Sequence, residues 1–326
     1  MTSRLLDRNL ALEAVRVTEI AAIASSFHMG RGNEKAADQA AVNAMRDFLN
    51  ELDVSGKVVI GEGERDKAPM LYIGETIGKG EVKVDIALDP LEGTTITAQG
   101  GENAMSVLAI GEQGSFLHAP DIYMKKVAYG YKYENLEINI DDKPEKIIND
   151  FSKYSKIREE NIVVCILNRP RHEELINQVR STGARIKLIP DGDVSAVIAT
   201  SIDDSGIDLY MGTGGSPEGV LAAAALRCLG GKIYTKLIYE NDESFERAKK
   251  MGVLEKNQIF EINDLAKGEV MFSATGVTDG TLLKGVRINN NDAHTHSVVM
   301  RSKTNTVRYI NAKHNLNIKK YRSYFK

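Results

Sequence analysis

Apolar residues recur at intervals of three and four over residues 5–27, which is the spacing of one face of an α-helix. The positions that carry this pattern are Leu10, Ala14, Val17, Ile20, Ala21 and Ala24. The same spacing predicts a second helix over residues 34–52, and Gly30 and Gly32 separate the two. A weaker pattern predicts a helix over residues 68–77. The chain is therefore expected to begin with a pair of helices.

Short apolar runs that end in glycine or charged residues predict strands. In the first half of the chain these runs cover residues 57–60, 82–88 and 104–110. From about residue 162 onward, strands and helices alternate, which favours a layered α/β domain. The alternating segments are strands at 162–167, 185–189 and 207–211 and helices at 172–182, 194–200 and 217–229. The alternation over residues 298–310 predicts a hairpin around Lys303.

The length of the chain and one polar segment indicate two domains. The 326 residues are enough for two domains of about 150 residues each. A segment at 129–142 reads as irregular or edge structure, and residues 141–155 are polar, so the chain is expected to divide soon afterwards. We predict one domain over residues 1–160 and another over residues 161–326, with an approximate boundary. The last segment, from about residue 268, is expected to pack back across both.

Composition and charge narrow the class of protein. With 42 basic and 45 acidic side chains the net charge is −3, which argues against a non-specific nucleic-acid binder. Cys165 and Cys228 lie in apolar runs and are predicted to be buried free thiols, as suits a reducing cytosol. No run of about 18 apolar residues predicts a membrane span, and Met1 to Asn9 lack the apolar core of a signal peptide. We therefore predict a cytoplasmic protein, and a small anionic substrate is compatible with this composition.

The segment Asp89-Pro90-Leu91-Glu92-Gly93-Thr94-Thr95 carries the strongest chemical signal. A largely apolar run at residues 84–88 leads directly into it, so two carboxylates, a glycine and two hydroxyls follow a predicted buried strand. Carboxylates at low dielectric need nearby cations. A divalent metal ion neutralises both carboxylates, and the hydroxyls then lie beside it, as metal-assisted phosphate hydrolysis requires.

Further acidic residues stand at strand ends or among small residues. Glu62 and Glu64 follow a short strand, Asp38 lies in an alanine-rich helix, and Glu218 lies in a glycine-rich turn. Taken singly, each of these residues is equally well explained as a carboxylate on the solvated surface. However, glycine allows close backbone approach, and the ligands of α/β sheets gather at the carboxyl ends of strands. Hard oxygen ligands without a cysteine or histidine cluster favour Mg²⁺ or Mn²⁺ over zinc.

Three other strand-to-helix junctions carry polar residues. The segment 212–219, Gly-Thr-Gly-Gly-Ser-Pro-Glu-Gly, begins an apolar helix, so its free N–H groups can bind an anion. Its spacing matches neither a dinucleotide-binding motif nor a Walker A motif. Asp193 can cap the helix that follows it, and Arg169 and Arg171 can clamp a phosphate or remain solvated. We expect these junctions and the one at residues 89–94 to converge at one sheet edge.

Together these motifs resemble the class II (GlpX-type) fructose-1,6-bisphosphatases, within the lithium-sensitive, metal-dependent phosphatase superfamily. The resemblance extends over nearly the whole chain. The segments that carry it are Gly32 and residues 37–38, 42–46, 61–64, 68–75, 89–94, 119–124, 169–172, 189–194, 214–219 and 272–276. The Asp-Pro-x-Glu-Gly-Thr element alone is typical of the superfamily, whereas the combination is typical of the class II family.

The resemblance implies two sets of site residues. The metal ligands, for Mn²⁺ or Mg²⁺, would be Asp38, Glu62, Asp89, Glu92 and Glu218. The substrate contacts would be Glu92, Gly93, Thr94, Tyr123, Arg169, Pro170, Arg171, Asp191, Gly192, Asp193 and Gly215. The chain has no tryptophan, although the wider superfamily usually ends its site with a Trp-Asp pair, and the glycine-rich turn stands there instead. Arg169 stands where relatives often carry lysine, so positive charge is kept while the phosphate geometry can differ.

The reaction that the resemblance implies is hydrolysis of the 1-phosphate of fructose 1,6-bisphosphate to fructose 6-phosphate and phosphate, a step of gluconeogenesis. Thr94 would orient the attacking water, and Glu62 would help to take its proton. The alternatives are a bifunctional fructose-1,6-/sedoheptulose-1,7-bisphosphatase, another phosphatase of the superfamily such as an inositol monophosphatase, and a non-catalytic sugar-phosphate or metal-binding regulator.

The same resemblance implies how substrate and fold are arranged. Arg169 and Arg171 would hold the distal 6-phosphate, and Tyr123 and Asp193 would hold sugar hydroxyls. The expected fold is α/β, a layered α/β/α/β/α sandwich of the sugar-phosphatase type, with an N-terminal metal-binding domain and a C-terminal substrate domain. We expect the site to lie between the domains, where clefts usually form. Homo-oligomers are common in the family, and we expect one here.

Overall fold

The computed structural model of the chain describes residues 8–63 and 70–318. Its helices and strands, in chain order, are α1 (Arg8–Ser26), α2 (Glu34–Leu49), β1 (Ser55–Ile60), β2 (Thr76–Ile77), β3 (Lys83–Glu92), α3 (Thr94–Gln99), β4 (Met105–Glu112), β5 (Tyr123–Tyr129), α4 (Pro144–Ser155), β6 (Val163–Leu167), α5 (Glu173–Ser181), β7 (Arg185–Ile189), α6 (Asp193–Ala199), β8 (Leu209–Gly215), α7 (Ser216–Leu229), β9 (Lys232–Leu237), α8 (Asp242–Lys250), β10 (Ile259–Glu261), α9 (Ile262–Leu265), β11 (Val270–Gly276), β12 (Arg287–Asn289), β13 (Asp292–Arg301) and β14 (Thr306–Asn315). Short 3-10 helices lie at Tyr131–Tyr133, Glu159–Asn161, Pro170–His172 and Ser302–Thr304.

The chain divides into two compact units. The first comprises Met1–Phe116 together with Gly268–Lys326, and the second comprises Leu117–Lys267. The chain returns to the first unit because β11 pairs antiparallel with β4 along its whole length. The predicted boundary at residues 160 and 161 lies between α4 and β6, inside the second unit.

In the part of the first unit that the structure describes, the strands form an eight-stranded sheet. Their order is β12-β13-β11-β4-β3-β1-β2, and β14 also pairs with β13. β1 and β3 are parallel neighbours, so their carboxyl ends lie at the same edge of the sheet. α1 and α2 cover the face of β3 that carries Val84, Ile86 and Leu88, because the apolar sides of both helices join these residues in one buried core.

The second unit contains, among its described residues, a six-stranded sheet in the order β10-β9-β5-β8-β6-β7. β6 runs parallel to both β7 and β8. β5 lies between β8 and β9 and is antiparallel to both. Three neighbouring strands, β7, β6 and β8, therefore end at one edge of this sheet, where α/β folds place their ligands.

Helices cover both faces of the second sheet. Phe151 of α4 joins a buried cluster with Val127 of β5. Because side chains alternate along a strand, Met124 and Lys126 of β5 point to the opposite face. There Gly219 of α7 lies so close that an added Cβ would stand 2.4 Å from Met124 Sδ and 3.2 Å from Lys126 Cε. The face that carries Lys126 is thus the face covered by α7.

Most elements confirm the sequence predictions. The mixed α/β class is confirmed, as are the two N-terminal helices, although residues 5–7 of the first lie outside the described residues. The alternation from β6 to α7 follows the predicted order, and the hairpin is confirmed as β13 and β14. Cys165 and Cys228 are buried free thiols, as predicted. Among the helices described, none combines the length and the apolar character needed to cross a membrane.

One local prediction is wrong, and two elements were not predicted. Residues 70–77 contain no helix and instead include β2, while residues 68 and 69 lie outside the described part of the chain. The polar segment at 141–155 contains α4, because Ile147, Ile148 and Phe151 form a narrow apolar face on an otherwise polar helix. β5 was not predicted at all, since Lys125 and Lys126 interrupt its apolar run.

The first unit also buries an ionisable cluster. Glu19 of α1 is only 5% exposed. Thr295 Oγ1 of β13 donates a hydrogen bond to Glu19 Oε1 at 3.2 Å, and His314 Nε2 of β14 lies 3.8 Å from that oxygen. Burial raises the pKa of Glu19 to about 7, which the hydrogen bond from Thr295 and the charge of Arg16 oppose. Burial also lowers the pKa of His314, so the neutral form of both groups is favoured.

We expect Glu19→Gln to stabilise the protein above pH 7 and to leave its stability unchanged near pH 4. The pKa of Glu19 rises from 4.5 to about 7 on folding, so the folded state binds an extra proton between these values and loses stability as pH increases through this window. The glutamine removes this loss, and the free energy of unfolding at pH 8 should rise by on the order of 2 kcal/mol.

Urea unfolding at a series of pH values measures this effect. Glu13→Gln is the matched control, because Glu13 lies on the same helix and is exposed beside Arg16. Parallel stability profiles for Glu19→Gln and the unmodified protein from pH 4 to 8 would contradict the burial of a protonated Glu19.

Candidate active site

Asp89 and Glu92 lie on one face of β3 because of a β-bulge. The predicted strand ended at Leu88, but β3 continues to Glu92. Asp89 pairs with Val107 of β4 and Glu92 pairs with Met105, so three steps on β3 match two steps on β4. Val107 and Met105 share a face of β4, and directly paired residues point to the same face. The extra residue therefore aims both carboxylates to one side, where a regular strand would place them on opposite sides.

Asp38 and Glu62 form the second acidic pair of the first unit. Asn33 caps α2 by accepting a hydrogen bond from the N–H of Ala36 at 3.1 Å, which fixes the first turn that precedes Asp38. Glu62 follows β1, and its N–H donates to the carbonyl of Leu71 at 3.0 Å. Burial and, to a smaller extent, the charge of Asp38 raise the pKa of Glu62 to about 8. Burial also raises the pKa of Asp38.

Thr94 is the first residue of α3, directly after the carboxylates of β3. Gly93 precedes it with φ 93°, a left-handed conformation that favours glycine. The hydroxyl of Thr97 donates to the carbonyl of Gly93 at 3.1 Å, and the N–H of Gly30 donates to the carbonyl of Thr97 at 2.9 Å. These bonds join the short helix to the loop before α2, so Thr94 and the start of α2 are held by one hydrogen-bonded segment.

The acidic residues of the first unit suit a divalent cation. The charge of Asp38 raises the pKa of Glu62 and burial raises the pKa of both groups, so their ionised forms are unfavourable without a cation beside them. Oxygen donors of this kind are the ligands that Mg²⁺ and Mn²⁺ prefer. Within residues 8–63 and 70–318, no three His, Cys, Asp or Glu side chains stand close enough together to hold one ion.

In the second unit, three of the four predicted junctions meet at one sheet edge. The segments after β6, β7 and β8 lie at the carboxyl ends of neighbouring parallel strands. The expectation that all four junctions share one edge is wrong, because residues 89–94 belong to β3 and α3 of the other sheet. The sequence pattern gave no means to assign each strand to its sheet.

Arg171 is held by two contacts, and the residue after it is held by two more. Its Nε donates to the carbonyl of Thr213 at 3.0 Å, and its guanidinium lies 4.7 Å from the centre of the Tyr123 ring. The next residue, His172, accepts from the N–H of Thr213 through Nε2 at 2.8 Å, so its Nδ1 donates to the carbonyl of Leu167, also at 2.8 Å. No sequence pattern indicated a role for His172, whose two hydrogen bonds connect the end of β6 to β8.

Arg169 and Asp191 form a looser pair at the same edge. Arg169 Nη2 lies 3.7 Å from Asp191 Oδ1, and both side chains are partly exposed. Burial raises the pKa of Asp191, whereas a backbone hydrogen bond from Gly192 and the charge of Arg169 lower it. Two arginines thus stand at one strand end, and an anion held between them would gain directional hydrogen bonds.

Lys126 and Asp193 form a buried ion pair that sequence analysis missed. Lys126 Nζ lies 2.6 Å from Asp193 Oδ2, and their side chains are 1% and 6% exposed. The hydroxyl of Tyr210, on β8, donates to the same oxygen at 3.4 Å. The predicted helix cap at Asp193 is wrong, because Gly192, with φ 85°, is the N-cap and Asp193 is the first residue of α6. A lysine inside an apolar strand was the available signal.

Glu218 lies in the first turn of α7, which begins after Gly215. Its Oε2 atom is buried and has no hydrogen-bond partner among the residues that the structure describes. Burial and the charge of Asp193, opposed by the charge of Lys126, raise the pKa of Glu218 to about 7. An added Cβ at Gly215 would stand 2.0 Å from Glu218 Oε2, and one at Gly214 would stand 2.1 Å from Asp193 Oδ2. The glycines after β8 therefore make room for two buried carboxylates.

A cavity of about 430 Å³ opens beside these residues in the second unit. It is lined by Asp121, Ile122, Tyr123, Gly215, Glu240, Asn241, Glu243, Ser244 and Arg247. Tyr123 and Gly215 are both predicted substrate contacts, and the ring of Tyr123 is 43% exposed. A sugar-sized molecule fits a cavity of this volume.

The chain is similar to one family model and to several named proteins. A family model described as "Bacterial fructose-1,6-bisphosphatase, glpX-encoded" matches residues 8–314. Proteins similar to this chain include those of Synechococcus sp. (strain JA-3-3Ab) and Gloeobacter violaceus, each 42% identical, with 95% of this chain and 96% of theirs covered. The protein of Trichodesmium erythraeum is 41% identical, with 95% and 97% covered. All three are named D-fructose 1,6-bisphosphatase class 2/sedoheptulose 1,7-bisphosphatase.

Proposed function

The chain belongs to the GlpX-type class II fructose-1,6-bisphosphatase family, and we propose that it hydrolyses the 1-phosphate of fructose 1,6-bisphosphate to fructose 6-phosphate and phosphate. One observation carries this proposal. The family match extends over residues 8–314, so the acidic pairs, the arginines and the glycine-rich turn all lie inside it. The reaction would serve gluconeogenesis, in a cytoplasmic and homo-oligomeric enzyme.

We propose Asp38, Glu62, Asp89, Glu92 and Glu218 as ligands of Mn²⁺ or Mg²⁺. The repulsion between Asp38 and Glu62 and the buried, unbonded Oε2 of Glu218 support this assignment, since a cation would relieve both. When bound, such ions stabilise charge on the transferred phosphoryl group and lower the pKa of water. The carboxylates themselves would hold the ions.

We propose that the second unit binds the distal end of the substrate. Arg169 and Arg171 would donate to the 6-phosphate, and the stacking of Arg171 on Tyr123 supports its role because the guanidinium is already oriented. Sugar hydroxyls and phosphate oxygens would contact the backbone or side chains of the remaining predicted residues, which are Glu92, Gly93, Thr94, Pro170, Asp191, Gly192, Asp193 and Gly215. Firm distal binding positions the reacting end.

Thr94 and Glu62 are the proposed catalytic residues. The hydroxyl of Thr94, next to Glu92 and Gly93, would orient the attacking water in line with the departing sugar oxygen. Glu62 would accept a proton from that water. Each of these two roles requires one side-chain oxygen within hydrogen-bond distance of the attacking water.

A second activity is favoured by the names of the relatives. The three proteins named above also carry sedoheptulose 1,7-bisphosphatase in their names. We therefore propose that this chain also accepts the seven-carbon bisphosphate, and the cavity beside Tyr123 offers space for a longer sugar.

Phosphate release is the direct test of the proposed function. We expect the purified protein to release phosphate from fructose 1,6-bisphosphate with Mn²⁺ or Mg²⁺ and to lose this activity with a chelator, because the carboxylates alone cannot stabilise an anionic transition state. Sedoheptulose 1,7-bisphosphate, inositol 1-phosphate and a 3′-phosphoadenylate complete the panel. Release from inositol phosphate or 3′-phosphoadenylate but not from the sugar bisphosphates would reject the proposal in favour of another phosphatase class.

Thr94→Ala is expected to lower kcat on the order of 100-fold with a small change in KM, because the hydroxyl acts on the water and not on the bound sugar. Thr95→Ala is the matched control, since it removes the neighbouring hydroxyl of the same helix, and Thr94→Ser should retain most activity. Steady-state kinetics measure all three variants. An alanine variant with normal turnover would remove Thr94 from the mechanism.

Arg171→Ala is expected to raise KM about 10-fold or more and to change kcat less, because it removes a donor to the non-reacting phosphate. Arg185→Ala is the control, since Arg185 stands at the amino end of β7 and donates to the carbonyl of Asn161. Titration with fructose 6-phosphate measures affinity independently of turnover. Equal affinity in the two variants would make Arg171 a structural residue only.

A further inference from the structure

We propose that Lys126 is a positioning residue for the reaction. Its buried ammonium group fixes the carboxylate of Asp193 and, through it, the segment Asp191–Asp193 at the start of α6. This inference rests on the proposed function, because Asp191–Asp193 is a substrate segment only if the chain is a sugar bisphosphatase.

The ion pair connects two elements that carry predicted substrate contacts. Lys126 lies on β5, three residues after Tyr123, and Asp193 begins α6, two residues after Asp191. The Lys126 Nζ to Asp193 Oδ2 distance of 2.6 Å is that of a short, charge-assisted hydrogen bond. The two side chains are almost completely buried, so water does not compete for this bond. A change in either partner would move the loop that precedes α6.

The surrounding residues are shaped around the ammonium group. An added Cβ at Gly214 would stand 3.1 Å from Lys126 Nζ and 2.1 Å from Asp193 Oδ2, and one at Gly219 would stand 3.2 Å from Lys126 Cε. Tyr210 adds a second donor to Asp193 Oδ2 at 3.4 Å. Strand β8 and helix α7 therefore leave one narrow space, and the lysine fills it in a single position.

Stability alone is a poor explanation for this pair. Burying two charges is unfavourable, and well-packed apolar residues often replace such a pair without loss of stability. What the pair does provide is a fixed position, since a buried ammonium group tolerates little displacement from its carboxylate. In a phosphatase, a small displacement of a binding loop reduces the reaction much more than it reduces folding.

Lys126→Met tests the proposal, because methionine has nearly the same side-chain length as lysine and removes the charge. We expect KM for fructose 1,6-bisphosphate to rise about 10-fold or more, with kcat changed less than about 3-fold. Lys126→Arg retains the charge and its donors and should recover part of the lost affinity. Phe151→Leu is the matched control for stability, since Phe151 is fully buried on the opposite face of the same sheet. It should lower the melting temperature and leave KM unchanged.

The results of these experiments distinguish failure of the positioning role from failure of the proposed function. An unmodified protein that releases no phosphate from fructose 1,6-bisphosphate overturns the proposed function. An active unmodified protein with an unchanged KM in Lys126→Met overturns the positioning role and leaves the function standing. Should Lys126→Met be insoluble, Lys126→Gln decides, because it also removes the charge that holds Asp193 but keeps a polar side chain at this position. A KM raised twofold or more at an unchanged melting temperature supports the positioning role, and an unchanged KM rejects it.

Discussion

Buried negative charge is the constraint on which both units depend. A carboxylate removed from water needs a cation, a set of donors or a proton. In the second unit the ammonium group of Lys126 neutralises Asp193. In the first unit Asp38 and Glu62 repel each other, and burial pushes both towards their protonated forms. The charge of Asp193 is thus neutralised by a side chain of the protein itself, whereas the charges of Asp38 and Glu62 would be neutralised by an added cation.

The backbone accommodates these charges through local irregularities. A bulge in β3 aims Asp89 and Glu92 to the same side of the sheet, which no regular strand can do for residues three apart. Pro90 lies inside this bulge, where the loss of its N–H removes no ladder bond. The acidic motif is therefore also a motif of strand geometry, and its proline and its two carboxylates are parts of one feature.

The features that could be predicted from the sequence are those that depend on residues close together in the chain. Glu62, Asp89 and the two arginines were found because they follow predicted strands. An apolar run followed by polar residues indicates a buried strand that reaches the surface. The partner of Asp193 could not be found in this way, since Lys126 stands 67 positions away in the chain. α4 was missed for a different reason. Three apolar residues in a polar segment form a helix face only once the sheet is present to cover them.

The glycine-rich turn after β8 shows how the two kinds of information combine. From the sequence, Ser216 and Pro217 within this turn indicated a helix start that exposes N–H groups to an anion. In the structure, Gly214 and Gly215 lie where a Cβ would collide with Asp193 and Glu218. Their absence of side chains is thus required by residues that the local pattern does not contain. In this motif the backbone packs directly against buried carboxylates. Small residues and acidic residues therefore occur together in it.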